Sequence, residues 1–166
     1  MKQQEKCTNK LPEEVLVELL QDRNWTITFA ESCTGGLLSG RLVNVSGASS
    51  VLKMSLVTYA EEAKQKLLGV KAETLAEYGV VSAQTASEMA QGALQYAEAD
   101  VAVSVTGIAG PGGGSAEKPV GLVYMACNVK GKITVEKHMF SGDRKAVRES
   151  SVNAALELAK RCIQEI

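Results

Sequence analysis

The alternation of apolar and polar positions divides the chain into helical and extended stretches. Pro12 fits the first position of a helix, and Glu13 and Glu14 suit its positive end. Leu16, Leu19 and Leu20 form its apolar stripe, up to a stop at Asn24. Trp25–Ala30 is β-branched and aromatic, which predicts a short buried strand. It runs into Glu31-Ser32-Cys33-Thr34-Gly35-Gly36 and then an apolar helical stretch from about Leu37 to Val45. A second small-residue loop over 46–50 precedes Val51–Tyr59, where Leu52, Met54 and Leu56 share one face of a strand. Short helices over 60–68 and 73–78 end at Gly69 and Gly79. Ser82 caps a longer one that carries Ala86, Met89, Ala90, Ala93, Leu94 and Ala97 on one side.

Asp100–Gly107 has the pattern of a central strand, followed by a long glycine-rich loop over 108–121. Leu122–Val129 and Ile133–Phe140, joined by Lys130-Gly131-Lys132, predict a β-hairpin. Asp143 is the expected N-cap of a final helix with Val147, Ala154, Leu158 and Cys162 on its buried side. Helices alternating with buried strands predict an α/β fold, a three-layer α/β/α sandwich. The closing hairpin makes its sheet of about five strands mixed. Sites in such sheets gather beyond strand ends, so the loops 31–36, 46–50 and 107–121 are candidates for one shared pocket.

At 166 residues the chain is expected to be one domain over 11–166, with residues 1–10 as a flexible polar tail. Hydrophobic residues make up 45% and charged residues 22%, which excludes a disordered chain. A net charge of -1 argues against a general nucleic-acid binder. No apolar run approaches the ~20 residues that span a bilayer, and the first ten residues lack the apolar core of a secretory signal. Cys7, Cys33, Cys127 and Cys162 lie far apart with no metal-binding spacing, and read as reduced thiols of a cytoplasmic protein.

Only one histidine, His138, is present, within an apparent strand. Zinc chemistry and histidine triads are therefore poor readings, and acid–base work falls to Lys, Tyr, Asp or Glu. Ser32-Cys33-Thr34-Gly35-Gly36 opens a helix, where free N–H groups can hold an anion or oxyanion. Equally, Ser32 or Thr34 can simply cap that helix. Cys33 reads either as a thiol activated by the helix end or as a small buried side chain. Lys64, near a helix start, is easier to deprotonate if buried, and a neutral lysine can take a proton from a serine, with Tyr59 as relay. Taken alone, the pattern favours a solvated Lys64 screened by Glu61 and Glu62. Ser50-x-x-Lys53 matches an acyl-transfer string, but in a strand these side chains diverge. The loop from Thr106 and Gly107 through Gly110, Gly112 and Gly113 lacks the features of a P-loop or dinucleotide fingerprint, yet its backbone can form an anion nest. Arg144, at a helix start where a cation is disfavoured, suggests an anionic partner.

Six strings stand in one order: AESCTGG (30–36), GASS (47–50), VTYAEEAK (57–64), GIAGPGGGS (107–115), EKPVG (117–121) and FSGDR (140–144). Together they closely resemble the CinA C-terminal domain family, over essentially everything from Leu11 onward. The family includes stand-alone bacterial nicotinamide mononucleotide deamidases. The resemblance implies an α/β/α fold, a homodimer or higher homo-oligomer, and a serine amidohydrolase-like site using Ser, Tyr and Lys without metal or cofactor. It implies hydrolysis of nicotinamide mononucleotide to nicotinic acid mononucleotide and ammonia. By resemblance, Ser32, Ser49, Tyr59 and Lys64 occupy catalytic positions, and Thr106 and Arg144 substrate positions. Thr34, Gly35, Gly36, Gly107, Gly110, Gly112 and Gly113 are expected to line the site. Backbone N–H groups near Gly35 and Gly36, or in the 107–114 loop, are expected to hold the oxyanion. The choice of nucleophile between Ser32 and Ser49 stays open, with a slight preference for Ser49. The alternatives are a non-catalytic nucleotide- or partner-binding domain, a different amidase or nucleotide hydrolase using the same Ser/Lys chemistry, and third a DNA-interaction role, which the near-zero net charge disfavours.

Overall fold

The computed structural model describes residues 10–166, so the expected tail, with Cys7, falls almost wholly outside them. Six helices and five strands follow in the order α1 (Pro12–Arg23), β1 (Ile27–Glu31), α2 (Leu37–Leu42), β2 (Leu52–Val57), α3 (Glu61–Leu68), α4 (Ala72–Tyr78), α5 (Ala83–Ala97), β3 (Val101–Gly107), β4 (Leu122–Val129), β5 (Lys132–Met139) and α6 (Arg144–Gln164). A single 3-10 turn, Ala48–Ser50, precedes β2. The strands form one mixed sheet in the order β2-β1-β3-β4-β5. β1 is parallel to β2 and β3, and the β4–β5 hairpin is antiparallel. This is the α/β sandwich that the alternating pattern predicts.

β1 is buried at every position because helices cover both of its faces. Ile27 and Phe29 join Val103, Met125 and Leu156 in the main core, on the side of α1, α2 and α6. Ala30 and Ala102 face the α3–α5 layer, where Met89 and Ala93 sit close to the sheet. The expected stops and caps hold. Asn24 ends α1 in the left-handed conformation, Ser82 accepts from the Thr85 N–H, and Asp143 from the Ala146 N–H.

Two local expectations are corrected. The β1–β2 register shifts between Ile27 and Thr28, which pair with Leu52 and Met54. This bulge breaks the strict alternation of β2, so Leu52 packs with the main core and Leu56 with the opposite layer. The helix after β1 ends at Leu42 rather than Val45. Among the described residues no helix is long and apolar enough to cross a membrane.

Candidate active site

The site lies where strands β1, β2 and β3 deliver their carboxyl ends. Ser32 follows β1, Tyr59 follows β2, and Thr106 and Gly107 close β3. They open on a cavity of about 400 Å³, also lined by Glu61, Lys64, Ile108, Gly110, Gly112, Gly113 and Arg144. That volume is within the ~300–1,000 Å³ usual for small-ligand sites.

At its floor is Lys64, in the first turn and a half of α3 and only 1% exposed. Its Nζ lies 3.0 Å from Ser32 Oγ, 2.7 Å from Thr58 O and 3.2 Å from Tyr59 O. No carboxylate of the described residues forms an ion pair with it. Burial accordingly pushes its pKa below the ordinary 10.5. As an ammonium Nζ donates to all three oxygens, and burial makes the neutral form easier to reach. Once deprotonated, it keeps two N–H bonds to the carbonyls, and its lone pair can accept the Ser32 hydroxyl proton. The expected pairing with Glu61 and Glu62 in solvent does not form.

Arg144 closes the cavity from α6. Its guanidinium donates to Gly110 O at 2.7 Å and to the Tyr59 hydroxyl at 3.0 Å, with no carboxylate of the described residues in ion-pair range. Of its five N–H donors, several remain for an anion. The Tyr59 phenol thus points to Arg144, and only its main-chain carbonyl reaches Lys64. A proton relay through the Tyr59 hydroxyl is not what this geometry provides. Thr106 donates its hydroxyl to Val80 O at 2.7 Å.

The turn after β1 differs from the sequence expectation. The Glu31 carboxylate is fully buried and accepts from the N–H groups of Gly36, Leu38 and Ser39 at 2.9–3.0 Å, and from Ser55 Oγ at 3.1 Å. A strand carboxylate therefore occupies the positive end of α2, and the Gly35 N–H is taken by Ser32 O. Gly35 and Gly36 cannot donate to an oxyanion. Neither they nor buried Thr34 line the cavity; the two glycines instead take the positive φ values of +58° and +97° that turn the chain into α2. In contrast, the N–H groups of Ala109, Gly110, Gly112 and Gly113 enter no hydrogen bond among the described residues. These four residues line the cavity, with main-chain N–H groups not engaged elsewhere.

Cys33 lines the cavity, but burial raises its thiol pKa to about 11, which suits a space-filling role rather than a thiolate. His138 stacks on Phe140 and contacts Glu136, away from the cavity. Ser49 is also elsewhere. Its turn precedes β2 and so lies at the amino end of the parallel strands, beside α1, where Ser50 contacts Gln21. Of the three loops expected to share a pocket, 31–36 and 107–121 meet and 46–50 does not. Within one chain, Ser32 is the serine that Lys64 reaches.

Sequence reasoning overlooked three contributors: the Glu31 carboxylate, the Thr58 carbonyl and Arg148, which donates to the carbonyls of Cys33 and Thr34. An acidic residue on an otherwise apolar strand, just before a glycine turn, was the available signal for Glu31.

The model of the CinA C-terminal domain family matches residues 9–163. A CinA-like protein of Kosmotoga olearia is 48% identical over 151 residues, 91% of this chain and 37% of that protein. A Clostridium novyi protein, provisionally named competence-damage inducible, is 53% identical over 149 residues, 90% of this chain and 36% of its own length. The chain thus spans little more than a third of these relatives. Among solved structures, a CinA superfamily protein of Klebsiella pneumoniae superposes with a TM-score of 0.90 at 35% identity, covering 93% of this chain and 97% of that one. The competence/damage inducible protein CihA of Agrobacterium tumefaciens gives 0.87 at 41% identity, with 95% and 99% covered.

Proposed function

The chain belongs to the CinA C-terminal domain family, and from that premise we propose that it is a cytoplasmic nicotinamide-nucleotide amidase. Its reaction is the hydrolysis of nicotinamide mononucleotide to nicotinic acid mononucleotide and ammonia. The observation that carries the chemistry is the buried Lys64 amine 3.0 Å from Ser32 Oγ, without a carboxylate partner among the described residues. The choice of substrate rests on the family resemblance.

Ser32 Oγ attacks the carboxamide carbon while Lys64 Nζ takes its proton. N–H groups of the 109–113 turn face the negative oxygen of the tetrahedral intermediate. Lys64 returns the proton to the departing nitrogen, ammonia leaves, and a nicotinoyl ester remains on Ser32. Water, deprotonated by Lys64, then hydrolyses that ester and frees the serine. Arg144 binds the phosphate through the N–H groups not engaged with Gly110 and Tyr59. The same reading extends to a homodimer, which sedimentation equilibrium tests.

Ammonia release from nicotinamide mononucleotide by the purified protein tests the proposal, with Ser32→Ala and Lys64→Ala alongside. Release is expected from the parent and a fall of at least ~10²-fold in each variant. Binding of the mononucleotide without any ammonia would select a binding domain instead. Full activity in Ser32→Ala would make another serine the nucleophile. If that serine were Ser49, a second copy would have to deliver it, and mixing inactive Ser49→Ala and Lys64→Ala chains would restore activity.

A further inference from the structure

Arg148 stands one helical turn after Arg144, on the same side of α6. The first two turns of that helix therefore reach both loops that make the cavity. Arg144 holds the loop after β3 through Gly110 O. Arg148 holds the turn after β1, with Nε donating to Cys33 O at 3.0 Å and Nη2 to Thr34 O at 2.9 Å. An arginine near a helix N-terminus sits against the helix dipole. Among the described residues no carboxylate pairs with Arg148 to offset this. Two adjacent carbonyls hold its guanidinium instead, both in the residues immediately after Ser32.

Each of those carbonyls belongs to a planar trans peptide. Fixing the Cys33 carbonyl fixes the plane of the next peptide, and fixing the Thr34 carbonyl fixes the one after it. Arg148 Nη2 lies against Gly35, whose φ of +58° favours glycine. From the far side the turn is anchored by Glu31 through the Gly36 N–H at 2.9 Å. Ser32 itself is tied at its N–H to Val105 O at 3.0 Å. The stretch from Ser32 to Gly36 is thus held at its start by β3 and at its end by Glu31. Its middle is closed by the main-chain bonds Gly35 N–H to Ser32 O and Leu37 N–H to Thr34 O. Among the described side chains, Arg148 alone is hydrogen-bonded to Cys33 and Thr34.

We propose that Arg148 is a positioning residue for the reaction at Ser32: by gripping the Cys33 and Thr34 carbonyls it keeps Ser32 Oγ in line with Lys64 Nζ. It touches neither the cavity nor the reacting atoms. Its loss therefore reduces turnover and leaves substrate affinity, which Arg144 governs, largely in place. The inference builds on the amidase reading, but the Ser32–Lys64 pair can be interrogated without that substrate.

The test is the rate at which a fluorophosphonate labels Ser32, followed by intact mass and peptide mapping. Parent, Arg148→Ala, Arg148→Lys and Lys64→Ala proteins are compared, and melting temperature and ammonia release are recorded on the same samples. Arg148→Ala is expected to label roughly 10- to 100-fold more slowly, with kcat falling in parallel and KM changing less than about twofold. Arg148→Lys, which keeps one donor and the charge, should lie between. Added methylguanidine should restore part of the rate to Arg148→Ala. Unchanged labelling and kcat in Arg148→Ala would overturn the proposal. So would a lowered melting temperature with full reactivity below it, which would make Arg148 a purely structural tie. If labelling follows the expected order but no ammonia is released by any protein, the positioning role stands and the amidase reading fails.

Discussion

Lys64 is an amine placed where an ammonium is poorly solvated, and the residue's chemistry follows from that. Its first-ranking influence is burial, which lowers the pKa, against smaller opposing effects of Cys33 and Glu61. Consequently the unfolded chain binds a proton at Lys64 over a range of pH where the folded chain does not. That range runs from the lowered folded value up to the ordinary 10.5. Within it, stability rises with pH and is lost as pH falls. Lys64→Met lacks this proton. Urea denaturation at a series of pH values should therefore show the parent gaining stability relative to Lys64→Met as pH rises toward 10.5. A constant difference between the two would mean that Lys64 has the same pKa folded and unfolded. Cys33 makes the complementary point. It lines the same cavity and, raised by burial to about 11, holds its proton near neutrality, while the hydroxyl of Ser32 is the group 3.0 Å from Lys64 Nζ.

At the scale of elements, the position of Lys64 depends on how α3 seats against α5. Gly92, in the middle of α5, is where the end of α3 makes closest approach, and a Cβ there would fall on the Leu68 carbonyl. In an exposed helix, Gly→Ala would stabilise by about 1 kcal/mol. Here the sign reverses, because the main chain of α3 must move. Gly92→Ala is expected to lose about 1–3 kcal/mol in urea denaturation. It should also lower amidase turnover more than tenfold, since Lys64 is one turn from Leu68. A stabilised, fully active Gly92→Ala would show that the two helices are not in register as described. The turn after β1 has a similar dependence. Glu31, placed on a strand, caps the helix that follows it, so one side chain of β1 fixes the direction of α2 and the far end of the Ser32 turn.

Over the whole molecule, three parallel strands and an antiparallel hairpin bring distant segments to one rim, and almost all of that framework was legible from periodicity. The alternation of apolar runs and small-residue turns located every strand and helix to within a few residues. Two things were not legible. The bulge between Ile27 and Thr28 shifts β2 without any proline or glycine to mark it. The burial of Lys64 is imposed by tertiary packing, while its neighbours Glu61 and Glu62 remain exposed. The place of Ser49 follows from chain order. Its loop precedes a parallel strand, whereas the 31–36 and 107–121 loops follow theirs, and the two kinds of loop belong to opposite ends of the sheet. The cavity rim also has a donor set unsuited to a transition metal, with no histidine, one protonated cysteine and one carboxylate, Glu61. Ammonia release is expected to survive exhaustive dialysis against a chelator, and a loss that zinc restores would refute a metal-free mechanism.

Whether a neutral Lys64 serves Ser32 as its base can be read at the amine itself. The measurement is the pH titration of the Lys64 13Cε resonance, assigned by difference from Lys64→Ala, set beside the pH dependence of kcat/KM for ammonia release. Lys64 is expected to titrate below 10.5, with the rising limb of kcat/KM following the same curve. A Lys64 that titrates at or above 10.5, or an activity limb that ignores its titration, would contradict it.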